Sequence, residues 1–324
     1  MKPYPAYREM ADTAIANLDL PTEPRQLYEP ITYVMSQPGK RIRPALTLMA
    51  CDALGGNLEA ALTPAIALEV FHNFTLLHDD VMDRADIRRG QPTVHRRWND
   101  NVAILSGDAM LTLANRLIAQ TPAYCREQAV NLFNQTAIEI YEGQQWDMDF
   151  ETRHDVSEQE YINMIRLKTS VLLGCACKLG ALIARADAAR ADKFYQMGLN
   201  LGIAFQLKDD MLDVWGDPDT FGKEIGGDIA NNKKTFLLIN ATARATGDDA
   251  DELRRWLNDP YALRDQKVTA VTEIYNRLGL RQLSLEAIGR YNRLALDALE
   301  SLNLNIEARQ AFESLINQMA GRDK

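Results

Sequence analysis

An apolar run passes directly into three carboxylates in the stretch Phe71-His72-Asn73-Phe74-Thr75-Leu76-Leu77-His78-Asp79-Asp80-Val81-Met82-Asp83. On a helix, a four-residue spacing places Asp79 and Asp83 on the same face, with Asp80 beside them. Three carboxylates this close repel one another, and a cation among them would offset that cost. Oxygen ligands at this spacing suit Mg²⁺, which is commonly shared with substrate phosphates. A solvated acidic helix end is the alternative interpretation of a single motif of this kind.

The same motif returns later in the chain, in Gln206-Leu207-Lys208-Asp209-Asp210-Met211-Leu212-Asp213. An apolar helix again precedes it, from Leu199 to Phe205. Two such motifs, each closing an apolar helix, are hard to explain as surface decoration. If they faced each other, they would form a two-sided carboxylate site for a diphosphate bound with several magnesium ions.

Composition and charge exclude several classes of protein. Of the 324 residues, 46% are hydrophobic and 25% are charged, which is ordinary globular composition and excludes collagen-like, low-complexity and disordered chains. The net charge of −9 argues against a nucleic-acid partner. The four cysteines follow neither a zinc nor a disulfide pattern, so we expect reduced thiols in a cytoplasmic protein.

Hydrophobic spacing is helical along nearly the whole chain, and β-type alternation is almost absent. Turn residues such as Pro38-Gly39, Gly90-Gln91-Pro92 and Asp259-Pro260 divide the chain into about ten or more helices. These patterns predict an all-α fold, with residues 1–324 forming one helical domain. The most apolar stretch, Ser170 to Leu182, is interrupted by Lys178 and is too short to span a bilayer, so no transmembrane segment is expected.

Basic residues cluster near both aspartate motifs, although the chain is acidic. Gly39-Lys40-Arg41-Ile42-Arg43-Pro44 precedes the first motif, and the arginine-rich stretch 88–97 follows it. Lys223 and Lys233-Lys234 follow the second motif, and Lys168-Thr169 lies on a helix between the two motifs. Arginine binds phosphate through two parallel hydrogen bonds, so these clusters favour a diphosphate ligand over a merely basic surface.

With these motifs in this order, from Gly39 to Lys234, the chain resembles the all-trans isoprenyl diphosphate synthases, also called polyprenyl synthetases. Short-chain members, the geranylgeranyl and farnesyl diphosphate synthases, are the most similar. After residue 240 the likeness is only that the chain is helical. The resemblance implies helices around a deep central cavity, usually in a homodimer. It also implies Mg²⁺-dependent, head-to-tail condensation of isopentenyl diphosphate with an allylic diphosphate.

The same resemblance implies a role for each matching residue. The metal ligands, three ions in the family's pattern, would be Asp79, Asp80, Asp83, Asp209, Asp210 and Asp213. The allylic diphosphate would be held by Arg88, Lys168, Lys223 and Lys233, and the spacing to Lys233 varies among members of the family. The isopentenyl diphosphate would be held by Lys40, Arg43, His72 and Arg89. The reacting centre would be lined by the catalytic residues Gln144, Asp147, Lys168, Thr169 and Gln206.

The implied reaction begins with ionisation of the allylic diphosphate, stabilised by magnesium and cationic side chains. The double bond of isopentenyl diphosphate then attacks the cation, and the released diphosphate takes the proton. Product length would depend on bulky residues near the first motif. Phe74 lies roughly 7–8 Å from Asp79 along the helix, and an aromatic at this position is typical of geranylgeranyl diphosphate synthases. We therefore expect a C20 product, with C15 and longer chains as alternatives.

Three other interpretations differ in what they require of the residues. A class I terpene cyclase would have a second motif mixing Asn, Ser or Thr with Glu, and would not need Lys40 and Arg43. A non-catalytic regulatory subunit would have lost one aspartate motif, whereas both are intact here. The step from Glu69 to His72 is compatible with a di-iron site, but no second Glu-x-x-His step accompanies it. Dependence of turnover on isopentenyl diphosphate separates the first two from the synthase.

Overall fold

The computed structural model describes residues 1–217 and 225–320, and this part of the chain is almost entirely helical. The prediction of an all-α fold is confirmed. Within the described residues, sheet structure is confined to two short strands, β1 (Ile87–Arg88) and β2 (Gln91–Pro92), which pair in an antiparallel hairpin.

The helices of the amino-terminal half follow one another closely along the chain. Their bounds are α1 Tyr4–Ala16, α2 Arg25–Met35, α3 Ile42–Ala53, α4 Leu58–Met82, α5 Val94–Arg97, α6 Asp100–Ile118, α7 Arg126–Thr152 and α8 Glu158–Ile165. A π-helical turn, Arg166–Ser170, follows α8 directly. The remaining helices are α9 Val171–Ile183, α10 Ala188–Trp215, α11 Gly227–Ala230, α12 Phe236–Arg244, α13 Gly247–Asn258, α14 Arg264–Arg277, α15 Leu280–Ser301 and α16 Ile306–Ala320.

The described helices group into two compact units, each considered by itself. The first unit is made of Met1–Thr136, Leu172–Gln196 and Ala298–Leu315. The second unit is made of Ala137–Val171, Met197–Asp297 and the residues from Ile316 onward.

Helix α4 is the core of the first unit and packs against α3 and α6. Asn57 caps its start, because its side chain accepts hydrogen bonds from the backbone N–H groups of Glu59 and Ala60. The ring of buried Phe71 lies 5.1 Å from that of Phe133 and 5.5 Å from that of Phe74, measured between centroids. These aromatic contacts bury the middle of α4 and leave its carboxyl end to carry the first aspartate motif.

Among the described residues, α4 alone is long and apolar enough to cross a membrane, and 67% of its most apolar window is buried inside the protein. The sequence pattern singles out a different and shorter stretch, residues 170–182, as the most apolar part of the chain. Burial of this kind is typical of a helix that forms a protein core.

The β1–β2 hairpin folds back beside the end of α4. Its two-residue turn, Arg89-Gly90, has φ values of 52° and 73°, as a type I′ turn requires. The Tyr33 hydroxyl donates a hydrogen bond of 2.8 Å to the carbonyl of Pro92, at the end of the second strand. The hairpin therefore keeps Arg88 and Arg89 close to the carboxyl end of α4.

The π-helical turn of the second unit was not predicted, because the hydrophobic spacing there reads as one continuous helix. Two glycines of neighbouring helices approach this turn closely. A Cβ atom on Gly143 of α7 would lie 2.3 Å from the backbone nitrogen of Lys168, and one on Gly202 of α10 would lie 2.6 Å from Ser170 Cα. The turn presents Lys168 and Thr169, which agrees with the frequent occurrence of π-helical turns at functional sites.

We predict that Gly143→Ala lowers the free energy of unfolding by about 1–3 kcal/mol, since the added methyl group meets backbone atoms that cannot move independently. Equilibrium unfolding in guanidinium measures this change. Gly289→Ala is the matched control, because nothing lies within 4 Å of a Cβ at that position in α15. It should increase stability by about 0.5–1 kcal/mol. Equal stability of Gly143→Ala and wild type would contradict the close approach.

Candidate active site

The first aspartate motif lies at the carboxyl end of α4, in the first unit. Asp80 is buried, Asp79 is partly buried, and Asp83 is exposed just beyond the last residue of the helix. The Arg88 Nε atom donates a hydrogen bond of 2.7 Å to Asp80 Oδ1. Burial nevertheless raises the pKa of Asp80 to about 6, with Arg88 opposing the shift and Asp79 and Asp83 adding to it. The three carboxylates therefore carry a repulsion that a divalent cation would relieve.

A group of arginines surrounds His72, about two helical turns before the motif. Burial and the charges of Arg43, Arg89 and Arg88 lower the pKa of His72 well below its ordinary value, so the imidazole is neutral at pH 7. The Nε atom of Arg43 is buried and has no hydrogen-bond partner within residues 1–217 and 225–320. Such an unmatched donor among cations is suited to an anionic ligand.

Lys40, predicted to hold the isopentenyl diphosphate with Arg43, His72 and Arg89, has an exposed side chain just before α3, and its role stays a prediction. The Tyr4 hydroxyl donates a hydrogen bond to the backbone carbonyl of Lys40. This hydrogen bond holds the backbone of Lys40 at the amino-terminal end of α1.

Arg41, Glu69 and Asn73 were missed by sequence reasoning and lie among these arginines. Arg41 Nη1 and Glu69 Oε1 form an ion pair of 2.9 Å, in which both side chains are only 3% exposed. The Asn73 amide nitrogen donates to the carbonyl of Glu69 at 2.8 Å, and its oxygen accepts from Arg89 Nη1 at 3.5 Å. A carboxylate and an amide within an apolar run were the available signal.

A small pocket opens beside the same residues in the first unit. Arg88, Arg89, Asp80 and Asn73 form its polar wall. Its apolar wall comes mainly from α2, α4 and the segment after β2. The first motif and the arginine hairpin thus line a common space.

The second aspartate motif lies near the end of α10, in the second unit. Asp210 is buried and accepts hydrogen bonds from the Tyr161 hydroxyl and from Gln206 Nε2, the latter at 2.9 Å. Thr169 Oγ1 donates in turn to Gln206 Oε1 at 3.0 Å. Burial, with the nearby charge of Asp228, raises the pKa of Asp210, while the two hydrogen bonds and Lys233 oppose the shift. Thr169 and Gln206, predicted at the reacting centre, are therefore joined to the second motif.

Asp213, the last carboxylate of the motif, has a structural contact as well. Its Oδ2 atom accepts a hydrogen bond of 3.0 Å from the backbone N–H of Asp228, at the start of α11. Its backbone carbonyl accepts another from Gly226 N–H at 2.6 Å. Asp213 therefore ties the segment after the second motif to α10, and its role as a metal ligand stays a prediction. Asp228 and Tyr161 are contacts of this motif that sequence reasoning did not assign.

Asp147 brings two of the predicted lysines together. Lys168 Nζ lies 2.6 Å and Lys233 Nζ 3.8 Å from Asp147 Oδ2. Burial raises the pKa of Asp147, but Lys233 and Lys168 outweigh it and hold the pKa below its ordinary value. Gln144 is partly buried on α7, one turn before Asp147. Lys223 lies outside the described residues.

The donors at both motifs fit magnesium chemically, because they are hard carboxylate oxygens. Within the described part of the chain, three or more acidic, histidine or cysteine side chains do not converge into a preformed metal cage. Mg²⁺ is usually held by one or two carboxylates together with substrate phosphates, so a site completed by a diphosphate agrees with this arrangement.

Comparisons with known proteins extend over most of the chain. The family model described as polyprenyl synthetase matches residues 24–278. A geranylgeranyl diphosphate synthase of Methanosarcina mazei is 42% identical over 233 residues, which are 71% of this chain and 72% of its own. A short chain isoprenyl diphosphate synthase of Methanothermobacter thermautotrophicus is 34% identical over 98% of this chain and 97% of its own. A crystal structure of a geranylgeranyl pyrophosphate synthase superposes with a TM-score of 0.95, at 44% identity and 100% coverage of both chains.

We predict that His72 stays neutral below the pH at which a free imidazole, with a pKa near 6.5, takes up a proton. Because the pKa is lower in the folded protein, the unfolded state takes up the proton first. The stability due to neutral His72 is therefore complete above pH 6.5 and is lost as the pH falls below it.

Long-range ¹H–¹⁵N spectra of the imidazole nitrogens, recorded from pH 8 to 5, test this prediction. The His72 signals should keep neutral-ring shifts at pH 6, whereas those of the protein unfolded in urea should move. A folded-state midpoint at or above 6.5 would show that burial and the arginines do not lower the pKa of this ring.

Proposed function

The chain belongs to the polyprenyl synthetase family and is a transferase, a trans-prenyl diphosphate synthase, and on that basis we propose its reaction and product. The reaction is Mg²⁺-dependent, head-to-tail condensation of isopentenyl diphosphate with dimethylallyl, geranyl or farnesyl diphosphate. The product is the C20 all-trans diphosphate. The observation that carries the proposal is that each aspartate motif stands beside cationic side chains of its own unit.

The isopentenyl diphosphate is bound by the arginine group around His72. Arg43 offers a buried Nε donor that has no partner in the described protein, and Arg89 is a second, partly buried cation. A diphosphate would supply the acceptor oxygen that Arg43 Nε lacks and would be attracted by the charge of Arg89. His72, being neutral, contributes an N–H donor without adding to the repulsion among the arginines.

Each aspartate motif is proposed to hold Mg²⁺ for the allylic diphosphate, with Arg88 as the cation beside the first motif and Lys168 and Lys233 as cations of the second unit. Magnesium, when bound, stabilises the negative charge that develops on the departing diphosphate. Lys168 and Lys233 are already oriented by Asp147, so they need little reorganisation when that charge appears. Lys223, which lies outside the described residues, is proposed for the same role by its position in the sequence.

Thr169, Gln206 and Gln144 line the reacting centre in this proposal. Thr169 and Gln206 are fixed by hydrogen bonds that run on to Asp210, so their dipoles are oriented before the substrate arrives. The proton lost after condensation passes to the released diphosphate, and no nucleophilic side chain is needed. An apolar surround keeps water from the reactive cation.

Phe74 supports the assignment of product length. Its side chain is buried, and its ring centroid lies 4.8 Å from that of His78 and 5.5 Å from that of Phe71. Gly107 admits the His78 ring, because a Cβ at that position would lie 2.2 Å from His78 Nε2. His78 is thus a packing residue that holds Phe74, five residues before Asp79, where a bulky ring would shorten the space for the chain.

A homodimer in the cytoplasm completes the proposal. Helix α6 exposes Ile104 and Leu105, and α7 exposes Ile138 and Tyr141, which are apolar surfaces that a second copy could cover. The four cysteines are buried free thiols, as expected in a reducing compartment.

Purified protein incubated with Mg²⁺, labelled isopentenyl diphosphate and a C5, C10 or C15 allylic diphosphate should yield a C20 product. Asp209→Asn should lower kcat/KM by about 10²–10³-fold, since it weakens stabilisation of the leaving group. Asp251→Asn, at an exposed surface ion pair, is the matched control and should not change the rate. Turnover that does not require isopentenyl diphosphate would favour the cyclase instead.

Phe74→Ala should shift the products beyond C20, because removing the ring lengthens the space available to the growing chain. Chromatography of the dephosphorylated products measures the shift. Phe312→Ala, at a fully buried ring of α16 that packs on Phe194, controls for general loosening of the core. Both variants should lose about 3–5 kcal/mol of stability, but only Phe74→Ala should alter the product. An unchanged product distribution would remove Phe74 from the assignment.

A further inference from the structure

We propose that Glu69 and Asn73, two buried polar residues of α4, are positioning residues for the arginines that bind isopentenyl diphosphate. The proposal deepens the function proposed above and rests on it. Neither residue is assigned to substrate or metal. They stand four apart on one face of the helix, with exposures of 2% for Glu69 and 0% for Asn73.

Glu69 acts first through Arg41. The Arg41 guanidinium donates to Glu69 and to Asp12, and also to the backbone carbonyls of Met35 and Gln37. Its backbone is in the left-handed region, with φ of 50°, directly before the first residue of α3. A non-glycine residue keeps this conformation only when its surroundings hold it. Because Arg43 follows two residues later, the Glu69–Arg41 ion pair fixes the backbone position from which the Arg43 side chain extends.

Asn73 acts on Arg89 directly. Its amide nitrogen is used by the Glu69 carbonyl, one turn earlier, so the amide oxygen is left to face Arg89 Nη1. Arg89 lies in the tight hairpin turn, where its backbone has little freedom. The Asn73 amide therefore fixes the guanidinium group of Arg89, whose backbone is already fixed by the hairpin turn.

Charge gives Glu69 a second effect on the same group. Arg43 and Arg89 repel each other, and Glu69 is the acidic side chain that favours the charged form of both. One buried carboxylate thus serves three guanidinium groups, those of Arg41, Arg43 and Arg89. The three guanidinium groups still carry more positive charge than Glu69 neutralises, and a diphosphate would neutralise the excess.

The test compares Asn73→Ala and Glu69→Gln with wild type in steady-state kinetics, varying each substrate in turn. Asn73→Ala should raise KM for isopentenyl diphosphate roughly tenfold, the usual loss for a hydrogen bond to a charged group. KM for the allylic diphosphate should stay within about twofold. Glu69→Gln keeps the size of the side chain and an acceptor oxygen. It should raise the same KM, although removing a negative charge near a diphosphate would by itself lower it.

Asn240→Ala is the matched control, because buried Asn240 makes the same bond to a carbonyl one turn earlier, that of Phe236, and also contacts Glu158. It should lower thermal stability without a selective change in KM. An unchanged KM for isopentenyl diphosphate in Asn73→Ala, or equal increases for both substrates, would overturn the positioning role. A lowered KM in Glu69→Gln would show that Glu69 only screens charge. Wild type that fails to incorporate isopentenyl diphosphate would instead overturn the proposed function, and this role with it.

Discussion

Like charges held close together and partly out of water are the constraint around which both units are organised. In the first unit, Asp80 is buried near Asp79 and Asp83, and its pKa is raised although Arg88 touches it. In the second unit, Asp210 is buried under the influence of Asp228, and its pKa is raised as well. Buried like charges destabilise a fold unless hydrogen bonds or opposite charges compensate them. The surrounding helices supply part of this compensation, and the proposed ligand would supply the rest.

The compensation is of two kinds, and the difference separates architecture from binding. Arg41 makes four hydrogen bonds within the protein, to Glu69, Asp12 and two backbone carbonyls, and so belongs to the structural framework of the first unit. Arg43 has a buried Nε donor with no partner in the described protein, and this donor is available to the proposed diphosphate. In the second unit, Asp147 orients two cations at once, with Lys168 Nζ at 2.6 Å and Lys233 Nζ at 3.8 Å from its Oδ2 atom. Side chains held in this way are in place before the substrate binds, which reduces the cost of reorganisation.

The aspartate motifs, the arginine clusters and the helical class could all be predicted from the sequence, because each depends on residues close together in the chain. That Thr169 and Gln206 line one reacting centre was predicted only from resemblance, and the hydrogen bond that joins them is seen only in the structure. Glu69 and Asn73 could not be assigned in advance. A carboxylate and an amide inside an apolar helix can serve packing, a metal or a ligand, and only their partners distinguish these roles.

By itself, the sequence determined that this protein is all-α and predicted a diphosphate ligand bound with magnesium, because helical periodicity and the spacing of charged residues are local properties. The tertiary structure decided which charged side chains are paired within the protein and which can still bind a ligand. It also decided where a helix departs from regular form, as it does at the π-helical turn that presents Lys168 and Thr169. Both outcomes depend on close contacts between residues far apart in the chain, such as Gly143 with Lys168 and Arg41 with Glu69. No local pattern encodes them, since burial and distance are set only when the helices pack.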